Sequence, residues 1–194
     1  MRLMRTSEIA KRPVVTMAGE NVAQVKDVVY AADGGSVEGF TLAGTGIFSG
    51  PLKQALSWTS VSALGADAVM IADEDVLEPT ETVVDRSRSS AGRTGNVLGS
   101  QVLTDAGVDL GTVHDVVVSV EGGETCDVVG YEIKASDALA TQGELVLVPL
   151  PDTIAASGEH LMVPASAKDF VGHDLAGFGA AVDSFRTQLR GAES

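Results

Sequence analysis

The residues able to do chemistry in this chain are few, and their spacing joins them into no known constellation. His114, His160 and His173 are isolated from one another, all in the second half. A three-ligand metal site needs imidazoles or carboxylates that converge, and this spacing gives no reason for convergence. Asp174, beside His173, reads as the N-terminal cap of a helix and not as a catalytic partner. Cys126 is the only cysteine, which excludes an internal disulfide and a cysteine-based zinc cluster. The chain carries no Walker loop, no Gly-x-Gly-x-x-Gly, no His-Glu-x-x-His and no Gly-x-Ser-x-Gly. The sequence therefore points to no catalytic residue, no metal ligand and no cofactor.

Three stretches still place polar groups where a reason is needed. Asp27 and Asp115 each interrupt an apolar, β-branched run. A buried carboxylate needs partners, so each is expected to accept backbone N–H groups at a bulge or bend. The loop from Gly44 to Lys53 is rich in glycine, whose backbone could set N–H groups around an anion with Lys53 as the charge. It lacks the strand–loop–long-helix context that gives phosphate loops their dipole. A plain inter-strand loop is the simpler reading, followed by protein docking through Phe48 and Leu52. Its candidate residues are Phe48, Ser49, Gly50, Leu52 and Lys53. The acidic run Asp73-Glu74-Asp75, with Glu78, lacks the turn glycine of a calcium loop and reads as solvated.

The elements that must position these residues come from an internal repeat. Gly19 and Asp27 find counterparts in Gly107 and Asp115, both 88 residues on. Gln24-Val25-Lys26-Asp27-Val28-Val29-Tyr30 is matched by Thr112-Val113-His114-Asp115-Val116-Val117-Val118, which makes His114 the polar, outward counterpart of Lys26. Asp33-Gly34-Gly35 is matched by Glu121-Gly122-Gly123, and Gly39-Phe40-Thr41-Leu42 by Gly130-Tyr131-Glu132-Ile133. Near the end of each copy, Val69-Met70-Ile71 resembles Leu161-Met162-Val163. Each copy reads as a turn glycine, a β-branched strand over 22–30, an Asp-Gly-Gly hairpin signal and a strand over 37–42. Short strands at 56–58 and 69–71 follow, with 145–150 and 160–163 as their later counterparts and Pro149 and Pro151 ending the longer one.

Between the copies, Pro79 to Gly95 is polar and glycine-rich and reads as a linker with one helical turn. Arg86, Arg88 and Arg93 in this stretch are the nearest thing to a basic patch. After the second copy, Leu175, Phe178, Val182, Phe185 and Leu189 recur at helical spacing and form one apolar stripe. That stripe either packs on the barrels as a lid or serves as a dimerisation or partner helix.

Composition bounds the class. Apolar residues make up 44% of the 194, aromatics only 4%, and the net charge is −14. Short aliphatic side chains must fill the core, which suits thin barrels. The acidic field repels phosphate backbones and anionic lipid, so direct nucleic-acid binding is disfavoured. No apolar window approaches a membrane span, no signal-peptide core follows the basic start, and the lone cysteine fits a reducing, cytoplasmic setting.

The repeated Val-x-Asp-Val-Val core, followed by Gly-Gly and Gly-Phe/Tyr, resembles the PRC-barrel family across about 5–80 and 96–172. The resemblance implies a mainly β protein of two small, strongly bent barrels of about six strands; the repeat and the marginal size of each unit predict that they pack about a pseudo-two-fold, with the C-terminal amphipathic helix across one or both. The implied division is 1–80, a linker at 81–95, 96–172, and the helix at 173–194. It also implies docking onto other proteins and not catalysis. The leading expectation is thus a non-enzymatic, cytoplasmic interaction or assembly module, with a protein partner and a possible homodimer. The alternatives are a ribosome or RNA-processing accessory factor and a small-ligand or anion binder.

Overall fold

The computed structural model describes residues 2–31, 34–46, 49–88, 97–121, 125–151, 155–157 and 160–192. The first copy runs β1 (Arg2–Arg5), α1 (Thr6–Ile9), β2 (Pro13–Thr16), β3 (Asn21–Tyr30), β4 (Val37–Ala43), β5 (Pro51–Ser57), β6 (Val61–Leu64), β7 (Val69–Ile71), β8 (Glu78–Pro79) and α2 (Thr80–Arg88). The second runs β9 (Gln101–Thr104), β10 (Asp109–Glu121), β11 (Thr125–Ala135), β12 (Leu145–Pro149), β13 (Ala155–Ser157), β14 (His160–Val163) and α3 (Leu175–Ala192).

The repeat is confirmed strand by strand. One sheet has the order β6-β7-β2-β3-β4-β5-β8 and the other β13-β14-β9-β10-β11-β12. In each, the strand before the long hairpin pairs in parallel with a strand near the end of the copy: Val14 faces Val69 through β2 and β7, Val102 faces Leu161 through β9 and β14. The long hairpin carries register shifts at matching places, between Val25 and Asp27 and between Val113 and Asp115. A second pair falls between Val29 and Tyr30 and between Val117 and Val118. Bulges of this kind bend a strand and raise its twist, which is how so few strands curl into a small barrel. Two mainly β barrels and a C-terminal helix are therefore present as expected.

Each barrel also carries a helix, and here the sequence reading needs correction. The segment read as a linker begins with α2, whose Val83 is fully buried against the first sheet. Gly39 makes room for it: a Cβ there would meet Leu56 O at 2.3 Å and Val83 Cγ1 at 3.0 Å. Gly130 does the same in the second barrel, where a Cβ would come within 2.5 Å of the Phe178 ring of α3. The helix after each barrel thus packs over the same strand position, and α2 is the short counterpart of α3. An arginine ties each helix to the end of the strand that follows the long hairpin, Arg86 through Ser57 Oγ and Arg186 through Leu150 O, both at 3.2 Å. Arg86 also pairs with Glu78 and, at 4.0 Å, Glu38, so it is a packed residue and not part of a free basic patch. Arg93 and the remainder of the linker, 89–95, lie outside the described residues, as do Asp33, Gly122 and Gly123.

The barrels are packed together. β1 leaves the first barrel and joins the second sheet, pairing antiparallel with β10 from Arg2–Val120 to Arg5–Val117. A further bridge links Ser36 to Asp127, with Val128 N–H donating to Gly35 O at 2.9 Å. One continuous apolar cluster runs from Met4, Ile9 and Phe40 in the first copy to Tyr131, Val163 and Phe185 in the second. α3 closes the second barrel: Phe178 and Val182 form a satellite cluster with Val117, Val129 and Leu147. Burying a phenylalanine completely is worth about 2–3 kcal/mol, so this stripe anchors the helix firmly. No helix among the described residues is long and apolar enough to cross a membrane.

Candidate functional site

Asp115 lies at the centre of a buried polar network that joins distant parts of the chain. Strand β10 bends at the bulge between Val113 and Asp115, and the arm formed by β1 and α1 lies over that bend. Asp115 Oδ1 accepts from Thr6 Oγ1 at 2.9 Å, from Ser7 N–H at 3.2 Å and from its neighbour Val116 N–H at 2.8 Å. The Tyr30 hydroxyl donates in turn to Thr6 Oγ1 at 3.1 Å. Burial drives the Tyr30 phenol well above its ordinary pKa, with the Thr6 hydrogen bond pulling weakly the other way.

A salt bridge completes the clasp. Glu132 faces Asp115 across the β10–β11 ladder, and its Oε1 receives Arg5 Nε at 2.8 Å and the Arg5 terminal nitrogen at 2.7 Å. The Glu132 hydrogen bond raises the Arg5 pKa, against a smaller opposing effect of burial. Further along the arm, Arg2 donates to Leu64 O at 3.0 Å and Arg12 to Gly65 O, fastening the β6–β7 turn. Burial lowers the Arg12 pKa. Asp115 and Glu132 thus hold the arm, through Thr6 and Ser7 on one side and Arg5 on the other.

The two aspartates read as equivalents thus part company. Asp115 accepts backbone N–H groups at a bulge, as expected. Asp27 does not: its side chain is 62% exposed, pairs with Lys26 at 3.0 Å, and accepts from Thr41 Oγ1 at 3.1 Å. The reason is the arm, which covers the second bulge and leaves the first uncovered. His114 points outward as its match to Lys26 implies, His173 is exposed, and Asp174 caps α3 by accepting Gly177 N–H at 3.0 Å. Among the described residues no group of three or more His, Cys, Asp or Glu side chains is placed to hold a metal.

The Gly44–Lys53 loop keeps its donors for itself. Gly44 N–H bonds Gly50 O at 3.2 Å, Ser49 N–H bonds Gly46 O at 2.9 Å, and Gly46 N–H bonds Ser49 Oγ at 2.9 Å. Ser49, Gly50 and Lys53 are exposed, Leu52 packs half-buried on the main core, and Phe48 lies outside the described residues. The N–H groups of Gly44, Gly46 and Ser49 are thus engaged within the loop itself. The α3 stripe is likewise engaged: Phe178, Val182 and Phe185 are buried and Leu175 and Leu189 half-buried within the chain's own packing. An open depression of about 290 Å³ beside α3, lined by Leu3, Leu175, Ala176 and Gly179, contains no titratable side chain.

A feature unclaimed from sequence is an outward apolar pair repeated in both barrels. In the parallel pairings, Val15 lies opposite Met70 and Leu103 opposite Met162. The neighbours of each along its strand are buried, so these side chains face out. Met17, 62% exposed and joined through its N–H to Ile71 O, extends the first pair, and Met162 is 37% exposed. The signal was present in Val69-Met70-Ile71 and Leu161-Met162-Val163, since the middle residue of a three-residue strand must face away from its neighbours.

Repeated open sheets with matched bulges, a covering helix on each and outward aliphatic faces define a tandem small-barrel protein. The chain belongs to the PRC-barrel family: the model of the PRC-barrel domain matches residues 1–77 and again 93–170. A search of curated proteins finds no match.

Proposed function

We propose that this chain is a non-enzymatic protein-interaction or assembly module of the cytoplasm, working through the outer faces of its two parallel strand pairs. The observation that carries the reading is the repetition of the outward pair, Val15–Met70 in one barrel and Leu103–Met162 in the other. Methionine is flexible and polarizable, so a methionine-bearing face repacks against a partner without a preformed pocket. The state of the carboxylates supports the non-enzymatic part, because Asp115 and Glu132 are committed to the arm.

The test is affinity capture of the tagged chain from its native cells, with and without nuclease, beside a Met17→Glu/Met162→Glu variant. Both positions are exposed, so the variant folds. A stoichiometric protein retained through nuclease and lost from the variant supports the reading. A partner that disappears with nuclease, or substrate turnover that depends on a residue of this chain, overturns it.

A further inference from the structure

The molecule contains, in its second barrel, a worked example of a strand docking that has no counterpart in its first barrel among the described residues. On β10, residues Val117–Val120 pair with β11 on one side and with β1 on the other. The matching stretch of β3, Val29 to Ala31, pairs with β4 on one side. On its other side β3 is paired only as far as Val25, through Arg12 and Lys11, among the described residues. Burial follows this difference: Val116, Val117 and Val118 are 0% exposed, whereas Val28, Val29 and Tyr30 are only half-buried. An unpaired edge of this kind is a template for another strand.

We propose that the β3 edge at Asp27–Ala31 takes an antiparallel strand from a partner protein, aliphatic and basic, with a threonine placed to bond Asp27. The chemistry of the occupant is read from β1. Arg-Leu-Met-Arg fills the β10 edge, and Thr6, the next residue, reaches Asp115. Asp27 stands at the position of Asp115 with its carboxylate open to solvent, and the chain carries a net charge of −14. Both favour a cationic strand and speed its encounter. Thr41 stands where the second barrel has Glu132, so the strand's last basic residue finds Asp27 in place of a dedicated carboxylate. This edge is distinct from the methionine faces, and either surface can fail alone.

The experiment uses the isotope-labelled full chain and a synthetic peptide, Arg-Leu-Met-Arg-Thr-Ser-Glu-Ile, which copies residues 2–9. The expected result is saturable amide shifts at Asp27–Ala31. Binding weakens roughly fivefold or more in Asp27→Ala, and equally when the peptide's threonine is made valine, as loss of a charge-assisted hydrogen bond requires. The Met17→Glu/Met162→Glu variant binds the peptide as the unaltered chain does. Four outcomes overturn the proposal: no shift at millimolar peptide; shifts confined to Val117–Val120, meaning the arm was displaced; contacts in the free chain from Val29 to a strand other than β4; or shifts at this edge that grow with protein concentration alone, which assign it to a second copy.

Discussion

Asp115-Val116-Val117-Val118 and Asp27-Val28-Val29-Tyr30 share a repeat position, a preceding bulge and nearly a sequence, yet one is core and the other is an exposed aspartate followed by three half-buried residues. Local propensity is the same in both, since the β-branched run fits a pleated strand in either barrel. What differs is what lies over them: the arm, and the longer helix α3, whose Phe178 and Val182 cover Val117. Residues Arg2–Ile9 cross from the first barrel and supply the second with a strand, a threonine for Asp115 and an arginine for Glu132. Burial of a strand position is thus decided by which remote segments lie over it, and a repeated sequence can be fully buried in one copy and half-buried in the other.

The sharpest test of that contrast is the pair of aspartates. Asp115→Ala strips partners from Thr6 Oγ1 and from the N–H groups of Ser7 and Val116. Leaving buried donors unsatisfied beside an arm that no longer has its anchor costs about 2–4 kcal/mol. Asp27→Ala removes an exposed carboxylate and stays within about 0.5 kcal/mol. Urea denaturation of the two variants measures the difference. Equal losses would mean that the arm does not distinguish the barrels.

The valines offer a second measure through packing alone. Val117 is fully buried with Phe178, Val182 and Leu147, so Val117→Ala loses transferred surface and leaves a cavity, at about 2 kcal/mol. Val29→Ala, at the half-buried counterpart, costs less than about 1 kcal/mol. A peptide that fills the β3 edge should widen the cost of Val29→Ala toward that of Val117→Ala.

Much of this architecture was legible in the sequence, because period-2 burial and turn glycines leave local marks. The matches of Asp27 with Asp115 and of Gly39 with Gly130 predicted equivalent strands, and register and bulges follow them. Helix α3 declared itself through the spacing of Phe178, Val182 and Phe185. What stayed hidden depends on long-range placement. Among the described side chains of α2 Val83 alone is deeply buried, too little apolar surface to make a stripe, so its polar sequence read as linker. Nothing in Arg2–Arg5 reveals that its partner strand lies more than a hundred residues away, and with the arm unplaced Asp27 and Asp115 look alike. The outward methionines were legible in principle, but exposed apolar residues at strand positions carry no periodic signature of their own.

Cys126 reports on the arm from the far side of β10. Val120 pairs with Arg2 on one side and with Cys126 on the other, and the thiol is buried. Burial raises its pKa from 9.0 to about 12, so the folded state holds the proton more tightly than the unfolded chain does. That contribution to stability is complete below about pH 9 and is lost as pH rises from 9 toward 12, at about 1 kcal/mol by pH 10. Tyr30, raised by burial in the same sense, adds a loss above its ordinary range. Denaturation at pH 8 and pH 10, repeated in Cys126→Ala, isolates the share of the thiol. Native labelling of Cys126 at pH 8 is slow, and Asp115→Ala accelerates it if the arm is what shields β10.

The smallest effect concerns the hinge of the arm, where the two copies chose different residues for one backbone shape. Lys11 has φ of 69°, the only positive φ outside glycine among the described residues, and its counterpart Gly99 has φ of 84°. Both N–H groups make the same bond, Lys11 to Val25 O at 2.8 Å and Gly99 to Val113 O at 2.9 Å. A side chain in the left-handed region costs about 1–2 kcal/mol, while glycine gives back about 0.5–1 kcal/mol through the freedom it adds to the unfolded chain. Lys11→Gly should therefore stabilise by about 0.5 kcal/mol, and Gly99→Lys should destabilise by a similar amount. Nothing lies within 4 Å of a Cβ at Gly99, so the second change tests conformation and not crowding. If Lys11→Gly instead destabilises, the entropy of glycine outweighs the relief of strain. The hinge would then be held less by its own backbone than by its neighbours, Arg12 on Gly65 and Thr6 on Asp115.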